Sequence, residues 1–188
     1  EVTVVEAGDR LCARSIPSEI SEFLLQKHSA AGVSIHFNTS INSIERESNT
    51  LMANIGDARL LADIIVVGVG LIPNSELAKD AGLALDNGIV VDERGQTSDA
   101  VIYAAGDITN HPNNWIGKRV RLESWANAQN QGIAVGRVLS GEEFAYDEIP
   151  WFWSDQYDTN LQVIGIPQPE CVNVFRGSVH DPAFTVFQ

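Results

Sequence analysis

The segment DIIVVGVG, Asp63–Gly70, sets four β-branched residues side by side, Ile64 to Val67, before it reaches a glycine. A strand with one wet face alternates polar and apolar residues, and this run does not alternate. It reads as a strand covered on both faces, of the kind found in the middle of a parallel sheet. Residues upstream fit the same scheme. VTVVEAGDRL is a strand ending near Glu6, and SEISEFLLQKHSAAG is a helix with Ser18 as N-cap and Gly32 as stop. Ile20, Phe23, Leu24 and Ala31 give that helix its apolar side. VSIHFNTSINSIERES and TLMANIGDARLLA supply strands joined by polar turns, so the α/β pattern carries an antiparallel excursion.

Downstream, SELAKDAGLAL is a short helix and DNG at Asp86–Gly88 a tight turn. IVVDERGQTSDAVIYAAGD is expected to supply two more short strands. A longer helix runs from about Ser124 through Leu139 and ends at Gly141. From Pro150 onward the aromatic and β-branched texture of PWFWSDQYDTNLQVIGI and CVNVFRGSVHDPAFTVFQ points to an antiparallel sheet. The 188 residues, 44% hydrophobic, suffice for one or two ordinary cores. Glu1 is not an initiator methionine and leads straight into a buried strand, so the chain is expected to be a fragment.

A net charge of −13, from 25 acidic and 12 basic residues, argues against nucleic acid or an anionic membrane as the main partner. Cys12 and Cys171 lie too far apart for a CxxC motif, which fits a reducing, cytoplasmic setting. No apolar run reaches the roughly 18 residues of a membrane span. His28, His36, His111 and His180 show no ligand spacing, so no metal is assigned.

Six places carry residues that packing alone does not require. Glu6, at a strand end, has the placement of a carboxylate that accepts hydrogen bonds from an adenosine ribose and repels a 2′-phosphate; a solvated surface glutamate has the same appearance. Gly68, Val69 and Gly70 let backbone approach a flat ligand, or make a tight turn. VIYAAGD stops an apolar run on Gly106 and Asp107, a pair suited to a polyhydroxylated chain such as ribitol, or to opening a turn. The helix after Glu123 has unpaired N–H groups and roughly +0.5 charge at its N-terminus, so it can stabilise negative charge growing on a bound group, or be an ordinary Ser124-capped helix. Trp151 and Trp153 are expected on opposite faces of a strand, one in the core and one presented to a flat ligand or a protein. Lys118, Arg119 and Arg121 form the densest basic group, a steering patch for an acidic protein or a solvated loop.

The joint order of VVEAGDR, GVGLIPN, IYAAGD, RLESWANAQNQG and PWFWSDQY resembles the FAD-dependent pyridine nucleotide-disulfide oxidoreductases, and within them the NADH-dependent ferredoxin reductases of bacterial oxygenase systems. The resemblance covers essentially the whole chain. It implies Rossmann-like FAD- and NAD(P)-binding domains followed by the start of an α+β C-terminal domain. Residues 1–88 would be the later part of the NAD domain, 89–148 the returning part of the FAD domain, and 149–188 the C-terminal domain. It also implies FAD contacts at Gly106, Asp107, Ser124, Trp125, Ala126 and Trp153, and NAD contacts at Glu6, Arg14, Gly68, Val69, Gly70 and Glu123. At Trp125 the backbone amide is a better candidate than the side chain. Glu123 and Trp153 would form the hydride-transfer environment, with no residue acting as acid or base. Electrons from NADH would leave the flavin singly for a [2Fe–2S] ferredoxin, docking near Lys118, Arg119 and Arg121, in aromatic hydrocarbon catabolism. A reductase of rubredoxin or another small acceptor, or a non-catalytic redox-sensing module, are the alternatives.

Overall fold

Two strands that run parallel need a crossover to join them, and the N-terminal residues supply one. The structure, a computed structural model, describes residues 1–56, 58–168, 170–181 and 183–188. They group into two units, residues 1–69 with 167–188 and residues 70–166.

In the first unit, β1 (Val2–Val5) pairs in parallel with β2 (Val33–His36), Val2 opposite Val33 and Val5 opposite His36. Helix α1 (Ser18–Ala30) makes the crossover and buries Ile20, Ser21 and Leu24. Ser18 is the first helical residue rather than the N-cap. Pro17 takes the cap, with φ −62° and ψ 160°, and the Ser18 hydroxyl bonds Glu19 Oε2 at 2.9 Å. Proline's fixed φ suits this entry and its carbonyl accepts from Ser21 N at 3.1 Å, so the serine hydroxyl is not needed there. Gly32, at φ +82°, ends the helix as expected. The antiparallel excursion follows as β3 (Ser43–Glu47), β4 (Thr50–Ile55) and β5 (Ala58–Ala62), with β4 in the middle burying Met52, Ala53 and Ile55. Strands Val174–Arg176 and Thr185–Phe187 pair antiparallel in the same unit, where Phe184 meets Phe23 edge-on at 5.3 Å.

DIIVVGVG departs from the expectation. Residues 64–70 belong to no described strand, and Ile64, Val66, Val67 and Val69 are all exposed. A strand buried on both faces needs neighbours at its sides, and none of the described strands pairs with this one.

In the second unit, α2 (Glu76–Asp80) and the core residues Ala78, Leu83, Ile89 and Val91 support a small sheet. Here β6 (Ile89–Val90) runs parallel to β7 (Thr109–Asn113), which pairs antiparallel with β8 (Lys118–Val120). The second short strand expected within VIYAAGD is reduced to one bridge, Gln96 to Tyr103; the strand begins only after Asp107. The apolar residues serve a loop instead: Ile102, Ala104 and Ile108 pack on the core cluster. Helix α3 (Trp125–Leu139) has Ser124 as N-cap, accepting from Asn127 N, and Gly141 at φ +95° beyond its end. The hairpin of β9 (Trp151–Gln156) and β10 (Thr159–Ile164) completes the unit. Among the described residues no helix is long and apolar enough to cross a membrane.

The DNG turn forms as expected, with Asn87 at φ 46°, Gly88 at φ 119° and Asp86 N donating to Gly88 O at 2.9 Å. A Cβ on Gly88 would lie 2.4 Å from the Ile108 carbonyl oxygen, a backbone atom that cannot swing aside. Gly88→Ala should therefore lower stability by roughly 2–4 kcal/mol, combining backbone strain with overpacking. Gly32→Ala, where no atom lies within 4 Å of the added Cβ, should cost only about 1 kcal/mol from its positive φ. Denaturant titration of both variants compares the two costs, and equal losses would show that the Ile108 contact contributes nothing.

Candidate functional site

One face of α3 is buried through Ala126, Asn127, Gln131, Ala134, Val135 and Val138, a stripe at helical spacing. Two of those positions are polar, and a polar side chain survives burial only with partners. Asn127 Nδ2 donates to Leu122 O at 3.2 Å, and its Oδ1 accepts from Tyr146 Oη at 3.2 Å. Gln131 Oε1 accepts from Gly106 N at 2.7 Å and from Thr109 Oγ1 at 2.8 Å. Gly106, at φ +85°, turns the chain just before β7, and its carbonyl accepts from Thr109 N at 2.9 Å. The 92–96 turn is equally close: a Cβ on Gly95 would fall 2.3 Å from Val135 Cγ2.

The next residue is the chemically unusual one. Asp107 Oδ1 is buried and has no hydrogen-bond donor among the described residues. Burial pushes its carboxyl pKa up, the negative charge of Glu123 adds to the rise, and Arg121 opposes it. Arg121 binds this region together: Nη1 donates to Asp107 O at 3.1 Å, Nε to Asn87 Oδ1 at 3.2 Å, and Nη2 pairs with Glu123 Oε1 at 2.6 Å. Glu123 is thus held next to the N-terminus of α3. A buried carboxylate oxygen without a donor, beside a helix N-terminus, suits a ligand that brings hydroxyl groups to one and negative charge to the other. That fits the ribityl chain and ring of FAD.

Gly106, Asp107, Glu123, Ser124, Trp125 and Ala126 are therefore brought together in one unit, and Trp153 joins them through an edge-on contact with Trp125 at 5.8 Å between ring centres. Trp151 and Trp153 do not point to opposite faces. Residues two apart in a strand share a face, and their rings lie 5.0 Å apart. Trp151 Nε1 donates to Gln162 Oε1 at 2.8 Å, and a space of about 90 Å³ beside it is lined by Ala126, Asn127 and Tyr146.

The residues expected to hold NAD lie elsewhere. Glu6, just past β1, accepts from Gly8 N at 2.7 Å, and Arg14 is exposed in the turn before α1. The cation that organises this turn is Arg10, which donates to Ile16 O, Ala13 O and Ser21 Oγ at 2.7–2.8 Å. Gly68, Val69 and Gly70 are exposed, with Gly70 at φ 94°. A cavity of about 780 Å³ lined by Asp9, Arg10, Leu25, Phe37 and Phe175 holds none of the residues expected to bind a cofactor.

In the basic group, Arg119 turns its guanidinium onto Val91 O at 2.5 Å, Asn110 Oδ1 at 3.1 Å and Asn110 O, while Arg121 is ion-paired as above. Lys118 is exposed. Sequence reasoning missed Gln131, Asn127 and Tyr146. The signal available was two amides falling in register with the apolar stripe of α3. It also missed His111, buried against Tyr146 with neither ring nitrogen partnered among the described residues. Burial, then the charge of Arg119, holds its pKa below the usual value.

Comparison with known proteins bears on the whole chain. The family model described as pyridine nucleotide-disulphide oxidoreductase matches residues 1–132, and one described as reductase C-terminal matches residues 151–188. The ferredoxin–NAD(+) reductase component of an anthranilate 1,2-dioxygenase system from Burkholderia cepacia is 40% identical over 189 residues, 99% of this chain and 46% of that protein. Rhodocoxin reductase from Rhodococcus erythropolis is 40% identical over 190 residues, 100% of this chain and 44% of its own length. The crystal structure of a ferredoxin reductase for the CYP199A2 system of Rhodopseudomonas palustris superposes with a TM-score of 0.92 at 40% identity, covering 100% of this chain and 47% of that one. A covalent putidaredoxin reductase–putidaredoxin complex gives 0.91 at 38% identity, covering 99% and 46%. The chain spans about half the length of the curated relatives it matches.

The raised pKa of Asp107 has a signed consequence. A carboxyl whose folded pKa lies above its unfolded value contributes stability at low pH, and that contribution is lost as pH rises from about 3.8 through the folded value. Above that folded value the ionised Asp107 is a liability in the ligand-free protein. Asp107→Asn should raise its melting temperature at pH 7 and leave little difference near pH 3. A melting curve unchanged at pH 7 would contradict this.

Proposed function

Because the chain belongs to the pyridine nucleotide-disulphide oxidoreductase family, we propose that it forms part of an FAD-dependent reductase that takes electrons from NADH and delivers them to a [2Fe–2S] ferredoxin serving an oxygenase. The reading is supported by relatives named as ferredoxin reductases of oxygenase systems and by the similarity to a reductase captured with its putidaredoxin partner. The observation that carries it is the buried, donor-less Oδ1 of Asp107 behind the Gly106 turn, one helix N-terminus away from Glu123. In this reading residues 1–88 contribute to NAD binding, 89–148 to FAD binding and 149–188 to a C-terminal domain.

FAD bound here would supply hydride acceptance from NADH and one-electron release. The chain's own residues hold and tune. Asp107 would accept hydrogen bonds from ribityl hydroxyls, which gives its buried oxygen the donor it lacks. Gly106 makes the turn that presents that carboxylate. The backbone N–H groups of Trp125 and Ala126, with the macrodipole of α3, would stabilise negative charge on the adjoining ring edge. Its Ser124 cap engages Asn127 N and keeps that end of the helix formed. Glu123, paired with Arg121, would accept from a carboxamide N–H of the nicotinamide. Trp153, held between Trp125 and Trp151, would cover the ring and exclude water.

On the NAD side, the Glu6 carboxylate, oriented by Gly8 N–H, would accept from ribose hydroxyls and disfavour a 2′-phosphate. Arg14 would contact the same cofactor, and Gly68–Gly70 would let backbone lie along the nicotinamide half. For the ferredoxin, Lys118, Arg119 and Arg121 would act by their field at a distance more than by direct ion pairs, since both arginines already have internal partners.

The full-length protein should purify yellow, be bleached by NADH far faster than by NADPH, and reduce a [2Fe–2S] ferredoxin faster than a rubredoxin. Asp107→Ala should weaken FAD binding about tenfold or more, the scale of one hydrogen bond to a charged group. A colourless protein, or an Asp107→Ala variant that holds FAD as firmly as the parent, would refute the proposal.

A further inference from the structure

We infer that Gln131 is a positioning residue for FAD: from the second turn of α3 its amide oxygen locks the Gly106–Asp107 turn and thereby sets where the Asp107 carboxylate stands. The inference rests on the FAD reading above and extends it to a residue that touches neither the cofactor nor substrate.

Gln131 is 1% exposed, in register with Ala134, Val135 and Val138 on the buried face of α3, where an apolar residue would pack without any need for partners. Its Oε1 is instead the shared acceptor of Gly106 N, at 2.7 Å, and Thr109 Oγ1, at 2.8 Å, from a segment more than 20 residues earlier. Both donors are buried, and Thr109 has no exposed surface at all. The Gly106 N–H has no strand ladder to join, because β7 begins only at Thr109. The turn is closed on its other side by Thr109 N–H, which donates to Gly106 O at 2.9 Å; the single Thr109 hydroxyl proton is shared between Gln131 Oε1 at 2.8 Å and Gly106 O at 2.9 Å. Removing the Gln131 oxygen would leave a buried backbone N–H without an acceptor, and a backbone at φ +85° without its main restraint.

What this restraint controls is the neighbouring side chain. Asp107 Oδ1 has no donor among the described residues, so the carboxylate is oriented through its backbone. That backbone is held at three points: Gly106 N by Gln131, Gly106 O by Thr109 N–H, and Asp107 O by Arg121 at 3.1 Å. Because Gln131 sits on the same helix whose N-terminus adjoins Glu123, the bond also fixes the turn relative to that helix end. A carboxylate and a helix terminus that must meet two parts of one ligand are thereby tied by a single amide.

The test is FAD affinity of the full-length protein, measured by flavin fluorescence titration, with amide hydrogen exchange at Gly106 in flavin-free protein as a second readout. Gln131→Met keeps size and removes the acceptor. It should weaken FAD about tenfold or more and speed exchange at Gly106. Gln131→Glu, which retains an acceptor oxygen in the same place, should stay within about threefold of the parent, a rescue that a mere packing role would not show. If Gln131→Met fails to fold, Thr109→Val removes one of the two donors, and it should still speed Gly106 exchange and lower affinity. Parental affinity in Gln131→Met or Thr109→Val, or equal losses in the Met and Glu variants, would overturn the inference. Asp107→Ala separates the two levels: if it loses FAD while Gln131→Met does not, only the role of Gln131 falls, and if neither loses FAD the flavin reading falls with it.

Discussion

Polar groups taken out of water must find partners, and in residues 70–166 that demand organises the structure around α3. Helix, turn and following strand are joined where Gln131 Oε1 accepts from Gly106 N and Thr109 Oγ1. The same logic recurs one turn earlier, where Asn127 links Leu122 O to the Tyr146 hydroxyl. Burial pushes the Tyr146 pKa up to about 12, with the charge of Glu148 adding to it, so this hydroxyl stays neutral and able to donate across the accessible range. Against that background a carboxylate oxygen with no donor stands out. Asp107 Oδ1 and the two ring nitrogens of His111 are the exceptions among the described residues of a region that otherwise satisfies its buried amides, and exceptions of this kind gather where a ligand completes the set.

Local signals carried much of the fold. The Ser124 cap and the glycine after the last turn bounded α3 almost to the residue, because both depend only on neighbouring backbone. The DNG turn and the β1–α1–β2 crossover were legible for the same reason. VIYAAGD misled because apolar content does not distinguish a strand from a loop that covers a core, and Ile102, Ala104 and Ile108 do the second. The tryptophan pair failed through periodicity: positions two apart share a face, so Trp151 and Trp153 were always going to be neighbours in a strand.

The candidate site was legible in part, and the division is physical. Gly106, Asp107, Glu123 and Ser124 stand near one another in space because a short sheet and one helix fold them together; the Gly–Asp step and the serine cap drew attention by residue type, and the family resemblance added Glu123. The supporting residues were hidden. Gln131 and Asn127 act through distances of 2.7–3.2 Å to groups remote in sequence, and nothing in a single chain announces such a pairing beyond a polar residue in an apolar stripe. The basic group shows the reverse. Three cations close in sequence look like one patch, yet Arg119 caps carbonyls of β7 and its neighbour, and Arg121 ties Asp107 to Glu123.

The apolar ribbon from Ile64 to Ile72 remains the feature that the described strands do not explain. Val66 is 89% exposed and Ile72 93% exposed, in a stretch that joins no described sheet. Ribbons of this composition add readily to one another edge to edge. Wherever these residues stay uncovered, they offer unpaired backbone and apolar side chains to which a further strand could add.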